Sequence, residues 1–228
     1  MLRNIIAIIP ASGVGSRMAA NKPKQYLEIQ GKTILEHTLQ PFLQHSQIQK
    51  IIVAVSETDP FYADLVILSH PKIELVFGGE TRAHSVFNAL QKLNEGDWAL
   101  VHDAARPCLK RSDLDKLLQI TDESGAILAT PTIDTIKRTE NGKTIDYTED
   151  RAFLWHALTP QFFPAEKLKN AIASAFTKNL AITDESSAME LEGVHPQLVE
   201  GRSDNIKVTR PEDLALAEFY LLRNQENV

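Results

Sequence analysis

The chain has 228 residues, 43% of them hydrophobic, with 24 basic against 30 acidic side chains and a net charge of −6. That is enough apolar material for one α/β domain and too much for general disorder, while the acidic balance excludes a broad nucleic-acid-binding face. A single cysteine, Cys108, excludes an intrachain disulfide and an all-cysteine zinc site, and no apolar run approaches the roughly 20 residues of a membrane span.

Ile5–Ile9 is wholly apolar, without polar alternation, and predicts a strand buried on both faces as in a parallel sheet. It opens into Pro10-Ala11-Ser12-Gly13-Val14-Gly15-Ser16-Arg17, with Pro23-Lys24-Gln25-Tyr26 close behind. Glycines let backbone amides approach an anion, and Arg17 and Lys24 supply charge to hold it, so a phosphate site is expected at this strand end. The spacing fits no Walker loop, and the dinucleotide fingerprint fails at Met18, where it needs a third glycine. Thr33–His45 reads as a helix in which Pro41 removes an interior hydrogen bond, predicting a kink or a restart.

Ile51–Val55 and Ile73–Phe77 predict two further strands, and the second runs into Gly78-Gly79-Glu80-Thr81-Arg82 with Ser85. Backbone amides at that turn, with a nearby hydroxyl, suit the edge of a nucleobase; a plain turn before the helix Arg82–Leu93 is the commoner meaning of Gly-Gly. Trp98–Val101 predicts a strand that ends in His102-Asp103-Ala104-Ala105-Arg106, setting a carboxylate and a cation at the carboxyl edge of the sheet. A hard carboxylate there suits a ribose hydroxyl or a magnesium ion, the alternative being a structural Asp–Arg pair. Ser112–Thr121 reads as a helix and Ala126–Ala129 as a strand. The alternation predicts an open, mostly parallel twisted sheet with helices on both faces.

From Asp134 to Arg151 polar and apolar residues mix around Asn141-Gly142, a strong hairpin signal. A two-stranded ribbon is marginal alone, so 134–152 is expected to protrude as an arm that packs on a second subunit, or else to be an ordinary surface hairpin. Arg151 is suited to bidentate phosphate binding, whereas the aromatics of Trp155–Phe163 read as core. Thr183-Asp184-Glu185 has the form of a helix N-terminus, and Asp204 and Lys207 are spaced to face one pocket. Thr209–Glu212 has the pattern of a capping box opening a helix over Asp213–Leu222. No zinc-type histidine pattern or nucleophile elbow is present, so covalent catalysis has no evident nucleophile.

Taken in order, P-A-S-G-V-G-S-R, P-K-Q-Y, G-G-E-T-R, V-H-D-A-A-R-P, D-R, W-H-A-L-T-P-Q-F-F, T-D-E and N-I-K-V-T-R-P-E-D-L resemble the 2-C-methyl-D-erythritol 4-phosphate cytidylyltransferase family over essentially the whole chain. Ser12 stands where many members have alanine and Glu80 where many have aspartate, and neither change removes a backbone amide. The resemblance implies a Rossmann-like nucleotidylyltransferase fold in a single domain over 1–228, dimerising through the arm at 134–152. It implies transfer of CMP from CTP to methylerythritol phosphate with release of pyrophosphate and with Mg2+, in non-mevalonate isoprenoid synthesis.

The resemblance also implies residue roles. Arg17 and Lys24 would stabilise the transition state, while Arg151, supplied across the dimer, and Lys207 would hold the acceptor phosphate. Nucleotide contacts would come from Pro10, Ala11, Ser12, Gly13, Gly15, Asp103, Ala104 and Arg106, with Gly78, Gly79, Glu80 and Ser85 on the cytosine. Acceptor contacts would add Thr135, Thr159, Thr183 and Asp204, and Asp103 is the candidate magnesium ligand beside the nucleotide's own phosphates. The alternatives are a ribitol-5-phosphate cytidylyltransferase and a non-catalytic nucleotide sensor. The acceptor-side segments favour the erythritol enzyme over the first, and Lys24, Arg151 and Lys207 together argue against the second. With no signal-peptide pattern and an end at Val228, a cytoplasmic, monofunctional homodimer that contacts neither membrane nor nucleic acid is expected.

Overall fold

The computed structural model describes residues 3–13 and 22–225. Its first strand, β1 (Ile5–Pro10), is buried on both faces, since Ile5, Ala7 and Ile9 enter one apolar core while Ile6 and Ile8 enter another. A short ribbon, β2 (Glu28–Ile29) and β3 (Lys32–Thr33), leads to α1 (Ile34–Gln44). Then β4 (Ile48–Val55), β5 (Ile73–Phe77), α2 (Arg82–Leu90), β6 (Trp98–Val101), α3 (Arg111–Leu117) and β7 (Ala126–Pro131) follow. The hairpin β8 (Lys137–Arg138) and β9 (Tyr147–Thr148) precedes β10 (Trp155–Pro164), α4 (Ala165–Thr177) and α5 (Glu185–Leu191). The described chain closes with β11 (Gln197–Glu200) and α6 (Pro211–Gln225).

Seven strands form one sheet in the order β11-β7-β10-β6-β1-β4-β5. Every pairing is parallel except those of β10, which runs antiparallel between β6 and β7. The alternation of side chains divides the core into two layers. Leu35, Leu39 and Phe42 of α1 and Leu114 and Leu117 of α3 cover one face of the sheet. Val86 and Leu90 of α2, Leu168 and Ile172 of α4, and Met189 of α5 cover the other. A third, smaller cluster seats Ala217 of α6 on Ile29, Ile34, Cys108 and Val208. No helix among the described residues is long and apolar enough to cross a membrane.

Three local expectations change. Helix α1 runs through Pro41 without a restart, because the proline falls in its last turn, while Thr33 and Glu36 cap its start reciprocally. The hairpin around Asn141-Gly142 forms, but its strands pair over two residues each and its connection spans 139–146. There Gly142 adopts a φ of +69° and the Asn141 side chain accepts from the amides of Lys143 and Thr144, which builds a loop rather than a tight turn. Helix α6 begins at Pro211, so the carboxylate that reaches back to the amides of Thr209 and Arg210 is that of Asp213, not Glu212.

The strand order places function. From β1 the sheet grows to β4 and β5 on one side and to β6 on the other, so the crevice beyond the carboxyl ends of β1 and β6 is a topological switch point. Since β10 is antiparallel to both β6 and β7, β7 points the same way as β6, and the arm leaves the sheet at that same edge.

Candidate active site

The switch-point crevice is a cleft of about 350 Å³, within the range of small-molecule sites. The exit of β1 supplies Pro10, Ala11, Ser12 and Gly13, and the exit of β6 supplies Asp103, Ala104 and Ala105. Gly79, Glu80, Thr81 and Arg82 enter from the turn before α2, whose N-cap is Thr81. Lys24 and Gln25 come from a helical turn over Lys24–Tyr26, and Lys207 and Thr209 from the segment before α6. Ten of the expected site residues therefore meet in one place. Gln25, Thr81, Arg82, Ala105 and Thr209 join them from within the quoted motifs, where none had been given a site role.

The loops touch closely. A Cβ at Gly78 would lie 2.6 Å from Ser12 Oγ, and one at Gly79 would lie 2.5 Å from His84 Cβ, so neither position accepts a side chain without movement. Ser85 is fully buried; its hydroxyl accepts from the Gly79 amide at 3.0 Å and pairs with Ser12 Oγ at 2.8 Å. It thus joins the turn to the β1 loop from behind rather than lining the cleft. The Lys24 ammonium donates to the Val208 carbonyl at 2.8 Å, which sets it beside Lys207.

Asp103 is the electrostatic centre. Its Oδ1 accepts from Arg82 Nε at 2.8 Å, and its Oδ2 faces Lys207 Nζ at 2.9 Å and Arg106 Nε at 3.4 Å. Burial alone would raise its pKa, but Arg82, Lys207 and Arg106 together hold it well below the usual carboxylate range. Arg82 is fixed in turn by Glu185, which is 1% exposed and accepts from Nη1 and Nη2 at 2.7 and 3.0 Å. Thr183-Asp184-Glu185 accordingly does two structural things: Asp184 caps α5, and Glu185 clamps Arg82.

Other expected residues lie elsewhere. Arg106 and Thr159 are buried behind the cleft: Arg106 Nη1 donates to the Asn205 carbonyl at 2.7 Å, and Thr159 Oγ1 accepts from the Asp103 amide at 3.1 Å. Both shape the cleft wall from within, which the spacing inside V-H-D-A-A-R-P and W-H-A-L-T-P-Q-F-F gave no means of foreseeing. Asp204 does not share a pocket with Lys207; it is buried against Arg202 at 2.6 Å and Lys110 at 3.9 Å. Thr135, Arg151 and Thr183 are exposed and do not line the cleft of their own chain, the Arg151 guanidinium donating to the Ile133 carbonyl. Gly15 and Arg17 lie outside the described residues.

His102 gives the wall a measurable signature. It is fully buried between the Arg106 carbonyl at 3.2 Å and Thr159 Oγ1 at 2.9 Å, and burial pushes its pKa down to about 3 against the pull of Asp103. The unfolded chain takes up this proton near pH 6.5 and the folded chain does not, so stability falls as pH drops from there toward 3. In His102→Gln the fall in unfolding free energy between pH 6 and pH 4 should be shallower by about 1.4 kcal/mol per pH unit. Denaturant titrations showing equal slopes would contradict a neutral buried imidazole.

Magnesium fits this wall poorly. Among the described residues no three histidine, cysteine, aspartate or glutamate side chains gather as a metal site. The lining carboxylates are Glu80 and Asp103, and both oxygens of Asp103 are already taken by three cations.

Comparison with known proteins completes the picture. A family model described as 2-C-methyl-D-erythritol 4-phosphate cytidylyltransferase matches residues 5–223. A protein of that name from Actinobacillus pleuropneumoniae is 69% identical over 226 residues, spanning 99% of this chain and 100% of its own. A crystal structure of a 4-diphosphocytidyl-2C-methyl-D-erythritol synthase superposes with a TM-score of 0.82 at 42% identity, over 96% of this chain and 99% of that one. The Francisella tularensis 2-C-methyl-D-erythritol 4-phosphate cytidylyltransferase superposes with a TM-score of 0.81 at 36% identity, over 95% and 99%.

Proposed function

The chain belongs to the 2-C-methyl-D-erythritol 4-phosphate cytidylyltransferase family and transfers CMP from CTP to that alditol phosphate, and we propose that the transfer takes place in the cleft between β1 and β6. The ribitol-5-phosphate alternative is not favoured. The observation that carries the placement is the meeting of Lys24 with Val208, 184 positions away in sequence and next to Lys207, over the β1 loop. Two ammonium groups and backbone amides at one sheet edge suit a triphosphate and a second phosphate.

In this reading an oxygen of the acceptor phosphate attacks the α-phosphorus of CTP, and pyrophosphate leaves along the opposite direction. A phosphate monoester is largely dianionic at neutral pH, so no general base is needed and the barrier is mainly repulsion between anions. The protein's work is positioning and charge stabilisation. Lys24, with Arg17 by resemblance, stabilises charge at the α-phosphate and leaving group. Lys207, steadied by Asp103, and Arg151 from a partner's arm hold the acceptor. The turn at Gly79 and Glu80 faces the cytosine, with Ser85 accepting from the Gly79 amide and so bracing the turn. A magnesium ion would be held mainly by the CTP phosphates and would offset their charge, since both oxygens of Asp103 already face cations. The protein works as a homodimer through 134–152, in the cytoplasm, where an unpaired Cys108 is at home.

Pyrophosphate release tests the reading. CTP should exceed UTP, ATP and GTP by well over tenfold in kcat/KM, and methylerythritol phosphate should exceed ribitol 5-phosphate by about tenfold or more. Comparable rates with UTP would sink the base assignment, and equal use of ribitol 5-phosphate would sink the acceptor assignment.

A further inference from the structure

Gln25 neighbours a proposed catalytic lysine, yet nothing in the chemistry above uses it. Its side chain is 3% exposed, and its amide nitrogen donates to the Ala11 carbonyl at 2.7 Å and to the Gly13 carbonyl at 3.0 Å. Both partners are carbonyls, so the NH2 end must face them and the oxygen must face away. The Ala11 amide remains in the sheet, bonded to the Ala54 carbonyl at 2.7 Å. One carboxamide therefore pins the loop at two alternate residues just where it leaves β1. With the carbonyls of Ala11 and Gly13 drawn to Gln25, the amides of Ser12 and Gly13 are left without an acceptor among the described residues, at the wall of the cleft. The same turn is anchored at both flanks, by Lys24 on Val208 and by Tyr26 Oη on Asp59 Oδ2 at 2.6 Å.

We propose that Gln25 is a positioning residue for the nucleotide: it holds the β1 loop in the conformation whose amides bind the CTP phosphates, and it couples that loop to Lys24. The proposal rests on the reading of the cleft as the CTP site. Its effect is expected chiefly on the nucleotide, because among the described residues its side chain bonds the β1 loop and makes no hydrogen bond to Lys207, Arg151 or the arm.

The test uses two variants of the full chain, with pyrophosphate release measured against each substrate. Gln25→Met keeps the length and removes the donors; kcat/KM for CTP should fall by about tenfold to a hundredfold, two hydrogen bonds' worth, while KM for the acceptor stays within twofold. Gln25→Glu places an acceptor against two carbonyls and should be the worse enzyme at pH 8.5. A buried glutamate protonates more readily, and its acid form regains one O–H donor. The ratio of Gln25→Glu activity to native activity should therefore rise severalfold as the pH falls from 8.5 to 6. A role in folding alone moves the melting temperature and leaves that ratio flat. The proposal is overturned by CTP kinetics within twofold of native in Gln25→Met, by a loss shared equally between both substrates, or by a flat pH ratio if Gln25→Met does not fold. Native enzyme that releases no pyrophosphate from CTP would instead strike at the reading of the cleft.

Discussion

Replacing Lys24 with alanine is expected to lower kcat by about 10² to 10³, the range for loss of one preorganised donor to transition-state charge, or about 3–4 kcal/mol of barrier. The ammonium is brought to the cleft by a backbone turn and fixed on the Val208 carbonyl, so it is oriented before substrate arrives. Charge on the α-phosphate oxygens and the leaving pyrophosphate grows during displacement, so a preorganised cation contributes more to the transition state than to bound CTP. Steady-state kinetics should show kcat and kcat/KM falling together while the CTP dissociation constant, by calorimetry, moves less than about tenfold. A variant with native kcat and only a raised KM would reduce Lys24 to a ground-state phosphate ligand.

The second large effect concerns two chains at once. Lys24→Ala and Arg151→Ala proteins should each be nearly inactive, and mixing them should restore about a quarter of native activity once subunits exchange, since half of the dimers are mixed and each holds one intact pocket. The physical basis lies in the arm. Its strands pair over two residues each, and Ile133, Ile145, Tyr147 and Phe153 are 75%, 65%, 53% and 81% exposed. Two paired strands with exposed apolar side chains are marginal alone and suit burial against another copy. Arg151, at the base of this arm, does not line its own chain's cleft, although the arm leaves the sheet at the edge where the cleft opens. If Arg151 acts across the interface, a mixed dimer gathers both lesions into one pocket. If it acts within its own chain, every pocket keeps one lesion and mixing restores nothing. Unchanged inactivity, with mixed dimers verified by mass, would refute the shared site.

Features governed by short range were legible in the amino-acid pattern alone. Unbroken apolar runs marked β1, β4, β6 and β7, because a strand buried on both faces leaves no polar alternation, whereas β5 carries Glu74 and lies half-exposed at the sheet edge. The glycine loop after β1 and Asp103 after β6 were legible because a strand end and a chemical type suffice to locate them. Asn141-Gly142 marked a hairpin, though not the length of its loop. Tertiary structure decided the rest. The placement of β10 between β6 and β7 depends on where the arm returns the chain, which no local pattern encodes. Arg82 became a brace for Asp103 only because Glu185, 103 positions away, meets it bidentately. Burial by other elements decided that Ser85, Arg106 and Thr159 stand behind the surface of the cleft in this structure. Gln25 gained its role from two carbonyls presented by a neighbouring loop. A side chain's chemistry is fixed by its type, but its partners are set by elements that meet only when the chain is folded.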